Sequence, residues 1–130
     1  MTTSATQSVT IVTHDGQFHA DDVVACALFL ELMRVVNMPV RLVRTRDRNV
    51  ISSAYAAIDV GAEYDSQRER FDHHQRGGAG KRANGVPYAA AGLVWKRVGR
   101  PLICDMVEMQ GECTGEQVAS VFDAVDRRLM

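Results

Sequence analysis

No stretch of this 130-residue chain is apolar for long enough to cross a bilayer. The longest such run, Val23–Leu30, falls far short of the ~20 residues required, and Asp21, Asp22 and Glu31 flank it, so no membrane segment is expected. An excess of one charge is also missing. Fifteen Lys+Arg against 16 Asp+Glu leave a net charge of -1, so no global positive field draws in nucleic acid and any such contact must be local. Cysteine is scarce: Cys26, Cys104 and Cys113 are odd in number and show no CxxC or CxxH spacing. That argues against a disulfide framework or a zinc finger and leaves reduced, mostly buried small hydrophobes. Met1 to Ser8 is Thr/Ser-rich without a basic segment ahead of an apolar core, unlike a secretory signal, and the expected compartment is the cytosol. These residues read as a disordered tail ahead of a single domain, residues 9–130, with no internal repeat or linker to mark a second.

What is present suffices for a core. The chain is a little shorter than a typical domain of ~150 residues, and 46% of it is apolar. Val9–Thr13 is short and β-branched, as a buried strand should be. From Asp21 onward Val24, Leu28, Leu32 and Val35 recur at helical spacing, with Asp21 and Asp22 suited to the first turn, until Asn37-Met38-Pro39 ends the run. Val40–Arg44 alternates like a strand, and Tyr55–Val60 reads as another that runs into Gly61. Arg70–His74 is expected as a brief strand end or loop, followed by a mobile Gly-rich basic stretch, Gln75–Gly85. Pro87 is expected to open a helix through Ala91, Val94, Trp95 and Val98, closed by Gly99 and Pro101, with another starting near Leu102. Thr114 and Gln117 form a capping box for a last helix with an apolar stripe of Val118, Val121, Phe122, Val125 and Leu129. The chain stops inside that helix without a cap, and the open stripe is expected to dimerise or to meet a further domain. Strand, helix, strand, strand predicts an α/β fold with a mostly parallel sheet flanked by helices.

The four histidines fall in two short clusters, His14 and His19 in H-D-G-Q-F-H-A-D-D and His73 and His74 in F-D-H-H-Q. Each cluster follows a predicted strand, and Asp59 ends a third at Asp59-Val60-Gly61. Three strand ends can converge on the carboxyl edge of a sheet, where open α/β folds place their ligands. Imidazole and carboxylate without a nearby cysteine suit manganese, magnesium, iron or zinc, and favour a hydrolytic over a structural site. Two such ions ~3.5–4 Å apart can activate a water and stabilise both oxygens of a phosphodiester displacement. A bridging aspartate is then needed, and Asp59 fits that place. Asp21 lies two residues after His19 and can point back at the same ion; Asp21 and Asp22 can equally cap their helix, and Asp15 more readily turns to solvent. Arg44, Arg46 and Arg48 around Asp47 are either a solvated charge run or phosphate contacts. Arg76, Lys81 and Arg82 carry the same two readings, with closeness to His74 tilting them toward substrate backbone. Trp95 reads as core, since base stacking requires an exposed ring.

Several of these motifs together resemble the MYG family, the melanocyte-proliferating-gene proteins. They are Val12-Thr13-His14-Asp15-Gly16-Gln17-Phe18-His19-Ala20-Asp21-Asp22, Arg44-Thr45-Arg46-Asp47, Asp59-Val60-Gly61 with Tyr64-Asp65, Arg70-Phe71-Asp72-His73-His74-Gln75, and Ala91-Gly92-Leu93-Val94-Trp95. That family is grouped with the DHH phosphoesterases, named for an Asp-His-His motif. The resemblance implies a manganese-dependent phosphoesterase, with magnesium as the alternative, of the 3'-5' exonuclease type acting on RNA or single-stranded nucleic acid. It implies His14, His19 and Asp21 as the first ligand motif, Asp59 as the bridging ligand and His73 as a further ligand. It also implies that Asp72 orients or assists while His74 faces the scissile phosphate. Among these, His19 stands where relatives outside the MYG group carry an aspartate. MYG proteins continue into an Ile-Asp-Ala-Asp-Asn-Gly-like motif with a further metal carboxylate and into a C-terminal domain that helps hold substrate. Neither occurs in this sequence, and Asp123 and Asp126 resemble that carboxylate only superficially.

Two readings of different kinds follow. One is a phosphodiester hydrolase with a dinuclear centre, contacting its substrate through Arg46, Arg76 and Arg82. The other is a truncated, catalytically impaired fragment or pseudoenzyme that holds a single ion. An HD-type phosphohydrolase, prompted by His14-Asp15, would need an all-helical scaffold.

Overall fold

The computed structural model describes residues 7–108 and 111–130. The six residues Met1–Thr6 of the expected N-terminal tail therefore lie outside the described residues. The elements run β1 (Val9–Thr13), α1 (Ala20–Val35), β2 (Val40–Arg44), α2 (Arg48–Ser53), β3 (Ala56–Ile58), β4 (Tyr64–Asp65), a 3-10 turn (Ser66–Arg68), β5 (Arg70–Phe71), α3 (Ala90–Glu108) and α4 (Gly115–Arg128). One sheet of order β2-β1-β3-β5-β4 holds all the strands. Its first four members pair in parallel and β4 pairs antiparallel to β5. The fold is thus α/β with a mostly parallel sheet flanked by helices, as the strand and helix periods predicted.

Alternation along the strands sorts the apolar residues to the two faces. Ile11, Ala56, Ile58 and Phe71 pack with Ala25 and Phe29 of α1 and Leu93 and Val94 of α3. On the other face Val12, Ala57 and Val60 pack with Val50 and Ile51 of α2. Helix α4 closes a third cluster in which Trp95, Ile103 and Val118 are buried and Phe122 stacks on Trp95 at 5.3 Å. Trp95 is accordingly core, with its indole N–H donating to the Phe122 carbonyl at 3.3 Å.

Three local expectations change. Strand β3 covers only Ala56–Ile58, shorter than the expected Tyr55–Val60, because Asp59 enters the left-handed region at φ 55°. Arg48–Ser53 forms a helix the sequence did not announce, begun by Asp47, whose side chain accepts from the Asn49 amide at 2.8 Å. The expected helix break at Gly99-Arg100-Pro101 does not occur: α3 starts at Ala90, not Pro87, and runs unbroken to Glu108. Pro101 removes one intrahelical N–H, but Val98, Leu102 and Ile103 are buried on either side, and that packing outweighs the local propensity. Gly99 is there for space, since a Cβ would sit 2.8 Å from the Trp95 ring and 2.9 Å from Phe122. The Gly-rich stretch is tied down as well, by a bridge between Lys81 and Pro87 and by Arg82.

Candidate metal centre

The parallel strands deliver the site. β1 ends into His14, β3 into Asp59 and β5 into Asp72-His73-His74, all at carboxyl ends. Because β2 and β3 flank β1 on opposite sides, the gap between β1 and β3 is the topological switch point where α/β sheets open a crevice. A cavity of about 670 Å³ opens there, lined by His14, His19, Asp59, Asp72 and His74 among others.

Asp59 is the centre of this arrangement. It is 3% exposed, and its backbone is left-handed at φ 55° where β3 ends. One oxygen, Oδ2, lies 3.4 Å from His14 Nε2, while the other, Oδ1, lies 3.4 Å from His73 Nε2 and 3.5 Å from His74 Nδ1. Burial pushes the Asp59 carboxyl above the usual carboxylate range, and the nearby Asp21 charge adds to that.

On the β1 side, His14 is also 3% exposed, and the Gly16 amide donates to its Nδ1 at 3.1 Å, turning Nε2 inward. Asp22 Oδ2 sits 3.2 Å from that same Nε2. The other Asp22 oxygen takes the amides of His19 at 2.8 Å and Val23 at 3.0 Å, so this buried residue both caps α1 and faces the site. His19 stands at the rim with its side chain 60% exposed and its ring centroid 5.1 Å from that of His14. Beneath them, burial pushes the Cys26 thiol up to about 11, which keeps it a protonated core residue.

On the β5 side, Asp21 Oδ2 lies 3.2 Å from His73 Nε2. The Asp21 carboxylate also accepts the first amides of α3, Ala90 at 3.1 Å and Ala91 at 2.7 Å. Helix α3 therefore holds in place a carboxylate that belongs to α1. Asp72 is a buried hub whose Oδ2 accepts from the Ala62 amide at 2.6 Å. Its Oδ1 takes the His73 amide at 2.7 Å, the His74 amide at 3.2 Å and the His74 ring Nδ1 at 2.6 Å. Burial alone would raise the Asp72 carboxyl, but the His74 ring and these three amides outweigh it and hold the group below its usual range. The hydrogen bond to Asp72 in turn raises His74 above an ordinary imidazole.

These residues form two sets whose ligand atoms approach closely enough to hold a metal ion, His14 with His19 and Asp22, and Asp59 with Asp72, His73 and His74. Neither contains a cysteine. Among the described residues His14 Nε2 and Asp59 Oδ1 are buried polar atoms without a hydrogen-bond partner. Leaving such a group unpaired costs about 1–3 kcal/mol, a cost that a cation bound at each would remove. The donor set of imidazole nitrogens and carboxylate oxygens fits a hard-to-borderline divalent ion.

The expected substrate residues separate. Arg46 lines the cavity and pairs with Asp15 at 3.0 Å. Arg76 is exposed and does not line it. Arg82 is 8% exposed in its side chain, and its Nε and terminal nitrogen both reach Asp126 of α4 at 3.0 Å. Its guanidinium lies over Tyr88, passing where a Cβ on Gly92 would come within 2.6 Å, so Arg82 latches the Gly-rich loop to α4. That engagement also accounts for Asp126. Asp22, expected mainly as a helix cap, also faces the site, and Arg48, open in sequence between a solvated charge and a phosphate contact, lines the cavity.

A buried imidazole–carboxylate cluster at the switch point of a parallel sheet defines an α/β domain whose residues could hold a metal ion. The chain belongs to the MYG1 exonuclease family, described as an uncharacterised protein family (UPF0160), whose model matches residues 10–130. It is 33% identical over 123 residues to a MYG1 protein of Dictyostelium discoideum, covering 93% of this chain and 37% of that protein. To the human MYG1 exonuclease it is 34% identical over 120 residues, covering 87% of this chain and 31% of that one. A MYG1 protein of Chlamydia trachomatis is 46% identical over 63 residues, covering 48% of this chain and 21% of its own length. The chain thus spans about a third of the length of the first two relatives. No solved structure matches. No helix among the described residues is long and apolar enough to cross a membrane.

Proposed function

We propose that this chain is the metal-binding part of a phosphodiester hydrolase, a 3'-5' exonuclease-type enzyme acting on RNA or single-stranded nucleic acid. In this reading it works with two divalent ions, manganese first and magnesium as the alternative. The observation that carries the reading is the divided carboxylate of Asp59, one oxygen toward His14 and the other toward His73, both at 3.4 Å. A carboxylate placed between two histidines suits a bridge, with His14 and His19 on one side and Asp21 and His73 on the other. The family membership and the exonuclease relatives support the hydrolytic class.

When bound, the ions would supply an activated water and take up charge on the phosphate oxygens. The chain's own residues do the rest. Asp72 fixes the His74 ring through Nδ1 and raises its basicity, which leaves Nε2 to present a proton to a phosphate oxygen at the cavity wall. The α3 amides keep Asp21 turned toward His73. His14 would hold an ion through Nε2, its Nδ1 being the atom that meets the Gly16 amide. The free cysteines favour a cytosolic setting.

A second reading is a chain that holds one ion without turnover, in keeping with the exposed ring of His19, which leaves the β1 side with one sealed histidine. Calorimetric titration with manganese, run beside His73→Ala, separates the two. Two sites in the parent and one in the variant support the dinuclear centre. A single site in the parent selects the second reading, and no binding at all overturns both.

A further inference from the structure

The cavity that holds these carboxylates is also lined by arginines. Arg46, Arg48, Arg68 and Arg70 all line it, in a chain whose net charge is -1. Three of the four guanidiniums are already engaged. Arg46 pairs with Asp15, Arg68 pairs with Glu63, and the buried Arg70 donates to backbone carbonyls, among them that of Ala54 at 2.9 Å. Arg48 alone has neither an ion pair nor a side-chain hydrogen bond among the described residues, and it shares its wall with Ile51 and Ser52. A cavity lined both by carboxylates and imidazoles suited to cations and by arginines suited to anions can take a cation and an extended anion side by side.

We infer that Arg48 receives the phosphate next to the one being cleaved, so that the substrate is a nucleotide chain carrying at least one phosphate beyond the scissile link. The inference rests on the phosphodiesterase reading above and adds the residue that reads the phosphate beside the scissile link. Arg46 and Arg68, held back by their carboxylates, and Arg70, fixed in the backbone, set the positive field in which the free guanidinium of Arg48 acts. A phosphomonoester or a single-phosphate diester leaves this wall uncontacted.

The test uses the 130-residue chain with manganese and two dinucleotide probes whose link carries a non-cleavable P–C bond, one with and one without a 5'-phosphate. The 5'-phosphorylated probe should bind about tenfold tighter, a step of about 1.4 kcal/mol. Arg48→Gln should bring that ratio close to one while leaving the manganese isotherm and the affinity for the unphosphorylated probe unchanged. Arg41→Gln, an exposed arginine on β2 outside the cavity, should leave the ratio intact. The inference falls if the parent shows no preference, if Arg48→Gln retains it, or if Arg41→Gln erodes it equally. A parent that binds no manganese overturns the functional reading itself, whereas manganese binding with a ratio of one overturns only the role of Arg48.

Discussion

His14 and His74 lie on either side of the same carboxylate, Asp59, yet their surroundings are opposite. The His14 ring is sealed, and its inward nitrogen has no hydrogen-bond partner. The His74 side chain is 58% exposed, and its inner nitrogen is held at 2.6 Å by Asp72. A sealed, unpartnered nitrogen between two carboxylates is costly unless something fills the gap, so this side is built for an ion. An exposed ring braced by a buried carboxylate keeps one nitrogen free toward the cavity, so that side is built to meet what enters from solvent. On the proposed reading, the same sheet edge separates ion holding from substrate contact by depth.

The sharpest test of that contrast is Asp59→Asn. Asn accepts the left-handed backbone that Asp59 occupies at φ 55°, whereas Ala adds strain there, so Asn isolates the charge. If Asp59 bridges two ions as proposed, its removal should weaken manganese binding by more than the ~10–100-fold typical of an outer-sphere loss, measured by calorimetry. Metal-free stability should move the other way. Burial and Asp21 raise the Asp59 carboxyl in the fold, so its contribution is fully present below the unfolded value of 3.8 and is lost as pH rises through the raised folded value. At neutral pH the metal-free Asn variant should therefore melt higher than the parent. A lower melting point with unchanged manganese affinity would make Asp59 a structural residue and erase the contrast.

Asp72→Asn tests the open side, with a smaller effect on the metal and a larger one on the fold. Asn can accept on one atom only, so its amide nitrogen meets either the Ala62 amide or the His74 donors, and a loss of about 2 kcal/mol in unfolding free energy is expected. The His74 ring should then titrate closer to 6.5, because the bond to Asp72 is the main cause of its rise. In the parent, stability from this raised imidazole is complete below 6.5 and is lost as pH climbs through its folded value. Stability from the depressed Asp72 carboxyl holds above 3.8 and is lost as pH falls through its own folded value. The pair therefore supports the fold best between those limits, and proton NMR of His74 together with melting against pH reads both arms.

Rare residue types at strand ends made most of this site legible in the sequence. His14, Asp59 and the Asp72-His73-His74 run each follow a β-branched or apolar strand segment, and a parallel sheet brings such ends to one edge. Asp21 and Asp22 were harder to separate, because an aspartate in a first helical turn is common and only the three-dimensional arrangement shows both facing histidines. The short helix Arg48–Ser53 has too few residues for a periodic signal, so the free arginine at its start was indistinguishable from a solvated charge. Gly99 and Pro101 misled in the other direction: local breakers were overridden by burial against α4. Arg82 sat near His74 in sequence, but its partner, Asp126, is 44 residues away, a separation that no local pattern encodes.

The smallest expected effect belongs to His19, which lies between the two extremes. Its backbone amide is tied to Asp22 at 2.8 Å, but its ring is exposed and 3.9 Å from the nearest Asp22 oxygen. Replacing the ring by Ala keeps that amide bond and should change stability by less than about 0.5 kcal/mol, as at an ordinary surface position. Manganese affinity should fall, but less than on replacing the buried His14, because an exposed ligand competes with water and is held less rigidly. If His19→Ala instead abolished binding as fully as His14→Ala, depth would not be what separates the two kinds of residue, and the rim histidine would belong with the sealed one.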